Sequence, residues 1–297
     1  MNRNIAGDPP KGYGWARLLY WSVQRELWEN RSVIAAPVGV AVVIIVALTV
    51  GAWRLHGATV GAGLKHTELS ELFSAMEDVI GALVTLAALV IGIFYASGAL
   101  YNERRDRTIL FWKSLPVSNI VTVVAKAAVP LVVLPLIAAI ATLAAQIVFI
   151  GLVELYLIAK GLSLGLLWQH DSEWAHLRRL AINIVVLSLW SAPIYAWLLL
   201  VSGWARRAPF LWAFGLPVGA MIFERLAFGS NHVGQIFMRH LLGGLGQISV
   251  KACAQGENCS ESALKIPFDQ TQLWAGVAVA VILISVAILQ RRRAAWL

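Results

Sequence analysis

Six long stretches of this 297-residue chain carry almost no charged side chains. A helix needs about 20 predominantly apolar residues to cross the hydrocarbon core of a bilayer. The stretches that meet this requirement are 33–53, 79–100, 120–146, 180–201, 209–228 and 273–289. Lipid offers no hydrogen-bond partners, so each span must satisfy its backbone internally, and the lack of period-two alternation disfavours a β-barrel. The sequence therefore predicts an all-α integral membrane protein whose 297 residues form a single transmembrane domain.

Composition supports a membrane protein. Hydrophobic residues make up 59% of the chain and charged residues only 13%, against roughly 25% charged in soluble proteins. The net charge of +8 is better explained by anchoring charge beside a membrane than by a nucleic-acid partner. We therefore expect membrane lipid, and not nucleic acid, to surround the chain.

The distribution of Lys and Arg predicts the orientation. With both termini inside, the inner segments are short and rich in Lys and Arg, including Arg104, Arg105 and the run Arg291–Arg293. Such a bias marks the cytoplasmic side, and we expect a bacterial plasma (inner) membrane with both termini cytoplasmic.

Residues 120–168 are apolar enough for two spans, but an odd total number of spans would place Arg291–Arg293 outside. We expect one long third helix, bent at Pro130 and Pro135, then an interfacial helix. For residues 147–179 a fully outer and a partly re-entrant path both stay open.

Residues 1–32 are expected to form a cytoplasmic tail and an interfacial helix. Trp15, Leu19, Val23 and Leu27 recur at four-residue spacing, with polar residues on the other faces. This pattern is typical of an amphipathic helix lying in the membrane interface. The helix is either a simple membrane anchor or a connecting element that touches a cytoplasmic partner, and the two roles are compatible.

Few residues of the chain suggest chemistry. Cys253 and Cys259, the only cysteines, lie in the long outer loop 229–272, where an oxidising compartment favours a disulfide over two free thiols. Glu224 and Arg225, near the outer end of the fifth span, either line a substrate path or extend to the headgroups. Lys126 is close enough to the inner end of its span to extend towards water. Catalytic and phosphate-binding motifs are absent, so the chain is not expected to be an enzyme.

A charged island interrupts the apolar pattern between the second and third spans. Residues 101–119 read YNERRDRTILFWKSLPVSN and combine a charge cluster with an apolar ridge of Ile109, Phe111 and Trp112. This mixture is typical of a short cytoplasmic helix that docks onto another protein. Pro116 is expected to end that helix, and Ser118 to cap the third span.

Within the island, ERRDR at 103–107 and FWKSLPVS at 111–118 resemble the permease subunits of type-2 ABC exporters, which often carry such a sequence after their second span. The likeness covers about twenty residues; elsewhere only the topology matches. It implies two separate ATPase subunits, which hold the ATP and Mg²⁺, and a second permease copy or paralogue. It also implies that the island is a coupling helix. The residues expected to contact the ATPase are Glu103, Arg104, Arg105, Asp106, Arg107, Ile109, Phe111, Trp112, Lys113 and Pro116.

Three other functions remain open on sequence grounds. An intramembrane enzyme would need converging polar side chains, which the second, third, fourth and sixth spans scarcely offer. A channel or secondary transporter would need a charged midplane or paired broken helices. A membrane anchor or assembly protein without transport activity differs from an exporter subunit only in its partners. The resemblance does not select among peptides, antibiotics, lipids and polysaccharides as the exported compound.

Overall fold

The structure, a computed structural model, describes residues 14–59, 66–106, 118–159, 173–246 and 271–293. Within these ranges the chain folds into helices joined by short turns, and no strand occurs there. The helices are α1 (Trp15–Glu29), α2 (Ser32–Thr59), α3 (His66–Arg105), α4 (Asn119–Ala128), α5 (Leu134–Ala159), α6 (Glu173–Trp204), α7 (Pro209–Phe228), α8 (His232–Gly246) and α9 (Thr271–Arg293). A π-helical turn, Val129–Val133, joins α4 to α5.

Six helical segments in the described part of the chain are long and apolar enough to cross a membrane, which confirms the expected all-α membrane class. They are Ser32–Gly51, Ala75–Arg105, Asn119–Leu155, Ala181–Trp204, Pro209–Phe228 and Thr271–Arg292. Most helices extend beyond the predicted spans. The largest differences are at the start of α3, which begins at His66 where a span starting at residue 79 was expected, and at the end of α5, which continues to Ala159 where a span ending at residue 146 was expected.

Helix α6 forms the centre of the bundle. It packs against α3 and α9, and 61% of its most apolar stretch is buried, against 6% for α7 at the periphery. Leu198 and Leu199 are fully enclosed in the core. Where α3 crosses α6, Gly92 lets the ring of Tyr195 approach closely, since a Cβ on Gly92 would lie 2.6 Å from the Tyr195 hydroxyl. Small residues thus bring the central helices together, as is common in membrane bundles.

The third span is one helix with a local change of pitch. Its N-cap is Ser118, whose hydroxyl accepts a hydrogen bond from the Val121 amide at 3.3 Å, as predicted. The disturbance expected at Pro130 takes the form of the π-helical turn, in which the Leu134 amide donates to the Val129 carbonyl. Pro130 has no N–H to donate, so the helix shifts register here instead of continuing its regular ladder.

Helix α1 packs along α4 with an unexpected face. Ser22 and Glu26 are its buried residues, whereas Trp21 and Trp28 are more than half exposed. The apolar face predicted from Trp15, Leu19, Val23 and Leu27 is not buried along its whole length, because Trp15 at its start is also exposed. A polar residue such as Glu26 is buried only when partners compensate its charge, and those partners form the candidate site.

Candidate functional site

A buried ionic network joins four helices at one end of the bundle. Its centre is Lys126 on α4, whose side chain is only 3% exposed. The Lys126 ammonium lies 2.9 Å from both carboxylate oxygens of Glu26 on α1. It also lies 3.1 Å from Oε1 of Glu103 on α3. One buried cation therefore holds the ends of three helices together.

Glu103 extends the network to the last helix. Its Oε2 accepts a hydrogen bond of 2.7 Å from the guanidinium of Arg291 on α9, and both side chains are more than nine-tenths buried. Its Oε1 lies 3.9 Å from Arg25 on α1. Charge-assisted hydrogen bonds such as the 2.7 Å contact between Arg291 and Glu103 are among the strong hydrogen bonds of proteins. Consequently α9 is fastened to α3 beside the point where α3 meets α4.

Glu26 is held in its charged form by several partners. Arg25 lies 2.9 Å from its Oε1, and the Tyr95 hydroxyl donates to its Oε2 at 3.0 Å. Burial alone would raise the pKa of the Glu26 carboxyl, but Lys126 and Arg25 outweigh that effect and hold the pKa below its ordinary value. Glu26 is therefore ionised in the folded protein at neutral pH.

Glu29, one turn further along α1, behaves in the opposite way. Its side chain is 45% exposed and lies 3.5 Å from Arg25. Partial burial, followed by the negative charge of Glu26, raises the pKa of the Glu29 carboxyl, and Arg25 compensates only in part. The Glu29 carboxyl therefore takes up a proton at a higher pH than the Glu26 carboxyl does.

A cavity of about 570 Å³ opens beside the network, bounded by α1, α2, α3 and Lys126. Glu26, Glu29, Glu103 and Asp106 contribute its carboxylates. Its remaining wall comes from the first turns of α2 and from the face of α3 that carries Ile91, Phe94 and Gly98.

The charge cluster at the end of α3 divides into inward and outward side chains. Glu103 turns into the network. Arg104 caps the end of α6, donating hydrogen bonds of 2.6 Å and 2.8 Å to the carbonyls of Ser202 and Ala205. Arg105 and Asp106 are well exposed and lie 3.6 Å from each other. Of these four predicted docking residues, only Arg105 and Asp106 present most of their side chain to the surroundings.

Several other predicted residues lie outside the described residues: Arg107, Ile109, Phe111, Trp112, Lys113, Pro116, Cys253 and Cys259. The predicted docking ridge and the predicted disulfide therefore stay predictions. Within the part of the chain that the structure describes, no group of three or more His, Cys, Asp or Glu could hold a metal ion.

Glu224 lies at the other end of the bundle and holds the start of α8. Its carboxylate accepts hydrogen bonds from the Ser230 hydroxyl and from the amides of His232 and Val233, all between 2.7 Å and 2.8 Å. This is the arrangement of an acidic side chain at a helix N-terminus. Arg225, its neighbour, is exposed. The structure thus gives Glu224 a local structural contact and does not place it beside Lys126 or Glu103.

Glu26, Lys126, Tyr95 and Arg291 are the members of the site that sequence reasoning did not assign. A signal existed for Lys126, because an ionisable residue within an apolar span is a site candidate by default and calls for a partner. Lys126 was expected to extend to water; the structure instead buries it between two carboxylates. The signal for Glu26 was weaker, since it stands among other polar residues of an amphipathic helix.

The network has a mechanical consequence. Separating any one of its helices from the others would leave a buried charge without its partner, which costs about 3–5 kcal/mol. The ends of α1, α3, α4 and α9 should therefore move as one unit.

Comparison with protein-family models, with curated proteins and with solved structures found no match to this chain.

Proposed function

We propose that this chain is the transmembrane subunit of an ATP-driven exporter of the type-2 ABC class. It works with two separate ATPase subunits, which hold the ATP and Mg²⁺, and with a second copy of itself or a paralogue. The support comes from the sequence of the charged island, from the six apolar helices, and from the network beside the island. In this proposal the chain itself catalyses no reaction.

The observation that carries the proposal is the position of the network. The island connects α3 to α4, and Glu103 near its start pairs with Lys126 on α4 beyond its end. A force applied to the island therefore reaches α3 and α4 together. Through Glu26 and Arg291 it also reaches α1 and α9. A permease driven by a cytoplasmic ATPase needs such a stiff connection between its docking segment and its spans.

A secondary transporter is the second candidate, because buried carboxylates near a lysine can act as a proton relay. Two features favour the exporter instead. Glu103 lies two residues before the end of α3, so the network occupies one end of the bundle and not its middle. In addition, Lys126 and Arg25 keep Glu26 ionised, whereas a relay requires a carboxyl that exchanges its proton near neutral pH.

The decisive experiment measures association with the ATPase subunit. Trp112→Ala should weaken pull-down of the ATPase by roughly 2 kcal/mol, about a thirtyfold loss of affinity, if Trp112 is the buried anchor of the interface. Substrate-linked ATP hydrolysis should fall in parallel. The matched control is Trp274→Ala, which removes a half-exposed tryptophan at the start of α9, the opposite end of the bundle from the network.

A charge-reversal variant provides a second test of the interface, and the reversal must be made at an exposed residue. Asp106→Lys alters an exposed carboxylate, whereas reversal of Glu103 would place a third positive charge beside Lys126 and Arg291 and disturb the fold. Unchanged ATPase association and unchanged hydrolysis in both Trp112→Ala and Asp106→Lys, with normal membrane insertion, would contradict the exporter assignment and leave a membrane anchor as the better explanation.

A further inference from the structure

The turn between α6 and α7 carries two adjacent arginines, Arg206 and Arg207, and both are exposed. Among the described residues, neither guanidinium lies within 4 Å of a carboxylate. Other arginines at this end of the bundle are paired, as Arg291 is with Glu103 and Arg105 is with Asp106. The described part of the chain therefore leaves two neighbouring positive charges of this turn uncompensated.

The end of α6 does not compensate these charges either. An arginine that follows a helix commonly donates hydrogen bonds to the last carbonyls of that helix. Here Arg104, from the end of α3, donates to the carbonyls of Ser202 and Ala205 at 2.6 Å and 2.8 Å. Two carbonyls of the last turn of α6 are thus already engaged by a cation from another helix, and the guanidiniums of Arg206 and Arg207 point to a partner from outside.

The turn is too short to leave the membrane surface. The apolar segment of α6 ends at Trp204 and that of α7 begins at Pro209, so only four residues separate the two spans. Ala208 adopts a left-handed conformation with φ of 46°, which is uncommon for a residue other than glycine and turns the chain directly into α7. Arg206 and Arg207 consequently lie at the depth of the lipid phosphates.

An aromatic wall flanks the two arginines. Trp204 at the end of α6 and Trp212 in the first turn of α7 are 55% and 47% exposed, and their rings are 5.7 Å apart at an angle of 71°. Phe210 between them in sequence is 44% exposed. Tryptophan rings favour the boundary between headgroups and acyl chains. The turn thus presents positive charge at its tip and aromatic surface on the helices beside it.

We propose that the α6–α7 turn binds an anionic phospholipid, with Arg206 and Arg207 on its phosphate and its acyl chains against Trp204, Phe210 and Trp212. A planar guanidinium donates paired hydrogen bonds to phosphate oxygens. Phosphatidylcholine also has a phosphate, but its own ammonium group cancels the charge, so a headgroup with a net negative charge complements the turn better. The inference does not depend on the exporter assignment.

Binding is tested on the purified chain in phosphatidylcholine nanodiscs, without ATPase or ATP. The probe is phosphatidylglycerol with a photoreactive diazirine near the glycerol end of one acyl chain, and its counterpart is phosphatidylcholine with the same chain. Labelling is mapped on the peptide that covers residues 204–216. We expect the anionic probe to label this peptide at least about fivefold more strongly, the effect of about one basic side chain near an anionic surface. Added salt should reduce the difference.

A matched pair of double variants separates a local site from general attraction to the membrane. Arg206→Gln/Arg207→Gln should reduce labelling by the anionic probe to the level of phosphatidylcholine. Arg105→Gln/Arg292→Gln removes two exposed positive charges at the same end of the bundle and should leave that labelling unchanged. Both variants should fold, because all four side chains are exposed.

Three results would overturn the proposal. The first is equal labelling by the two probes, and the second is an equal loss in the two double variants, which would show attraction spread over the whole surface. The third is unchanged lipid labelling in Arg206→Gln/Arg207→Gln together with weaker pull-down of the ATPase, which would assign the arginines to a protein interface. Because the labelling is done without ATPase, its failure alone would leave the exporter assignment untouched.

Discussion

At the scale of single residues, Lys126 is the most constrained side chain of the molecule. Both Glu26 and Glu103 depend on it, and all three are more than nine-tenths buried. Lys126→Met should destabilise the protein by about 3–5 kcal/mol, because it leaves two buried carboxylates with fewer partners. Arg105→Met, a nearby change at a 68% exposed side chain, should alter the free energy of unfolding by less than about 0.5 kcal/mol.

The same residue offers a double-mutant cycle. In the background of Glu26→Gln, the loss caused by Lys126→Met should shrink, since one of the stranded carboxylates is already neutral. Thermal unfolding in a mild detergent measures all four proteins. Strictly additive losses in the two single variants and the double variant would show that the 2.9 Å contact between Glu26 and Lys126 contributes no coupling energy.

Acidity should weaken the network. Because the folded protein holds the pKa of Glu26 below its ordinary value, ionised Glu26 adds stability above roughly pH 4.3, the range of an unfolded glutamate. That stability is lost as the pH falls through the lower folded value. Glu103, Glu29 and Tyr95 also face this group. We expect the melting temperature to drop on acidification in the native protein and to drop less steeply in Glu26→Gln; identical pH profiles would contradict this.

At the scale of elements, the sequence predicted which segments cross the membrane better than it predicted where the helices end. The fifth span, Pro209–Phe228, coincides with its predicted bounds, because Pro209 opens it and Gly229 closes it in a left-handed conformation. The end of α3 was placed too early. Glu103 and Arg104 read as loop residues in a charged run, but burial against α4, α6 and α9 keeps them helical. Which charges turn inward depends on neighbours far away in sequence, so periodicity alone could not identify them.

The contact between α3 and α6 provides a test at this scale. Gly92→Ala would place a methyl group 2.6 Å from the buried Tyr195 hydroxyl and 2.9 Å from its ring, so one helix must shift. We expect a loss of about 1–3 kcal/mol, typical of overpacking in a rigid core. Gly39→Ala on α2 meets nothing within 4 Å and should be neutral or slightly stabilising, because alanine favours helix. Equal stability of the two variants would show that Tyr195 can move aside.

At the scale of the whole molecule, the ion pairs fix which helix ends share a side. Arg291 contacts Glu103, so the end of α9 lies beside the α3–α4 connection, while α8 follows α7 at the opposite end. Which end faces the cytoplasm comes only from the charge distribution. In a Cys253→Ser/Cys259→Ser background, Arg31→Cys and Arg292→Cys should resist an impermeant thiol reagent on intact cells, and His232→Cys should react. Reaction at position 292 from outside would reverse the predicted orientation.

The last prediction separates transmission of force from stability. Glu103→Gln with Arg291→Met removes both partners of the α3–α9 pair, which is far less costly than removing one, because no buried charge loses its only strong contact. Lys126 keeps Glu26 at 2.9 Å, so α1 and α4 stay joined. The variant should therefore fold and, under the proposed exporter assignment, still bind the ATPase subunit. If the network carries motion from the island to α9, transport per ATP hydrolysed should fall several-fold while hydrolysis itself continues. Reconstituted vesicles give both rates, and Arg104→Met, which frees α6 but leaves the network whole, is the comparison. An unchanged ratio of transport to hydrolysis in Glu103→Gln/Arg291→Met would show that the network holds the helices together without coupling them to the ATPase.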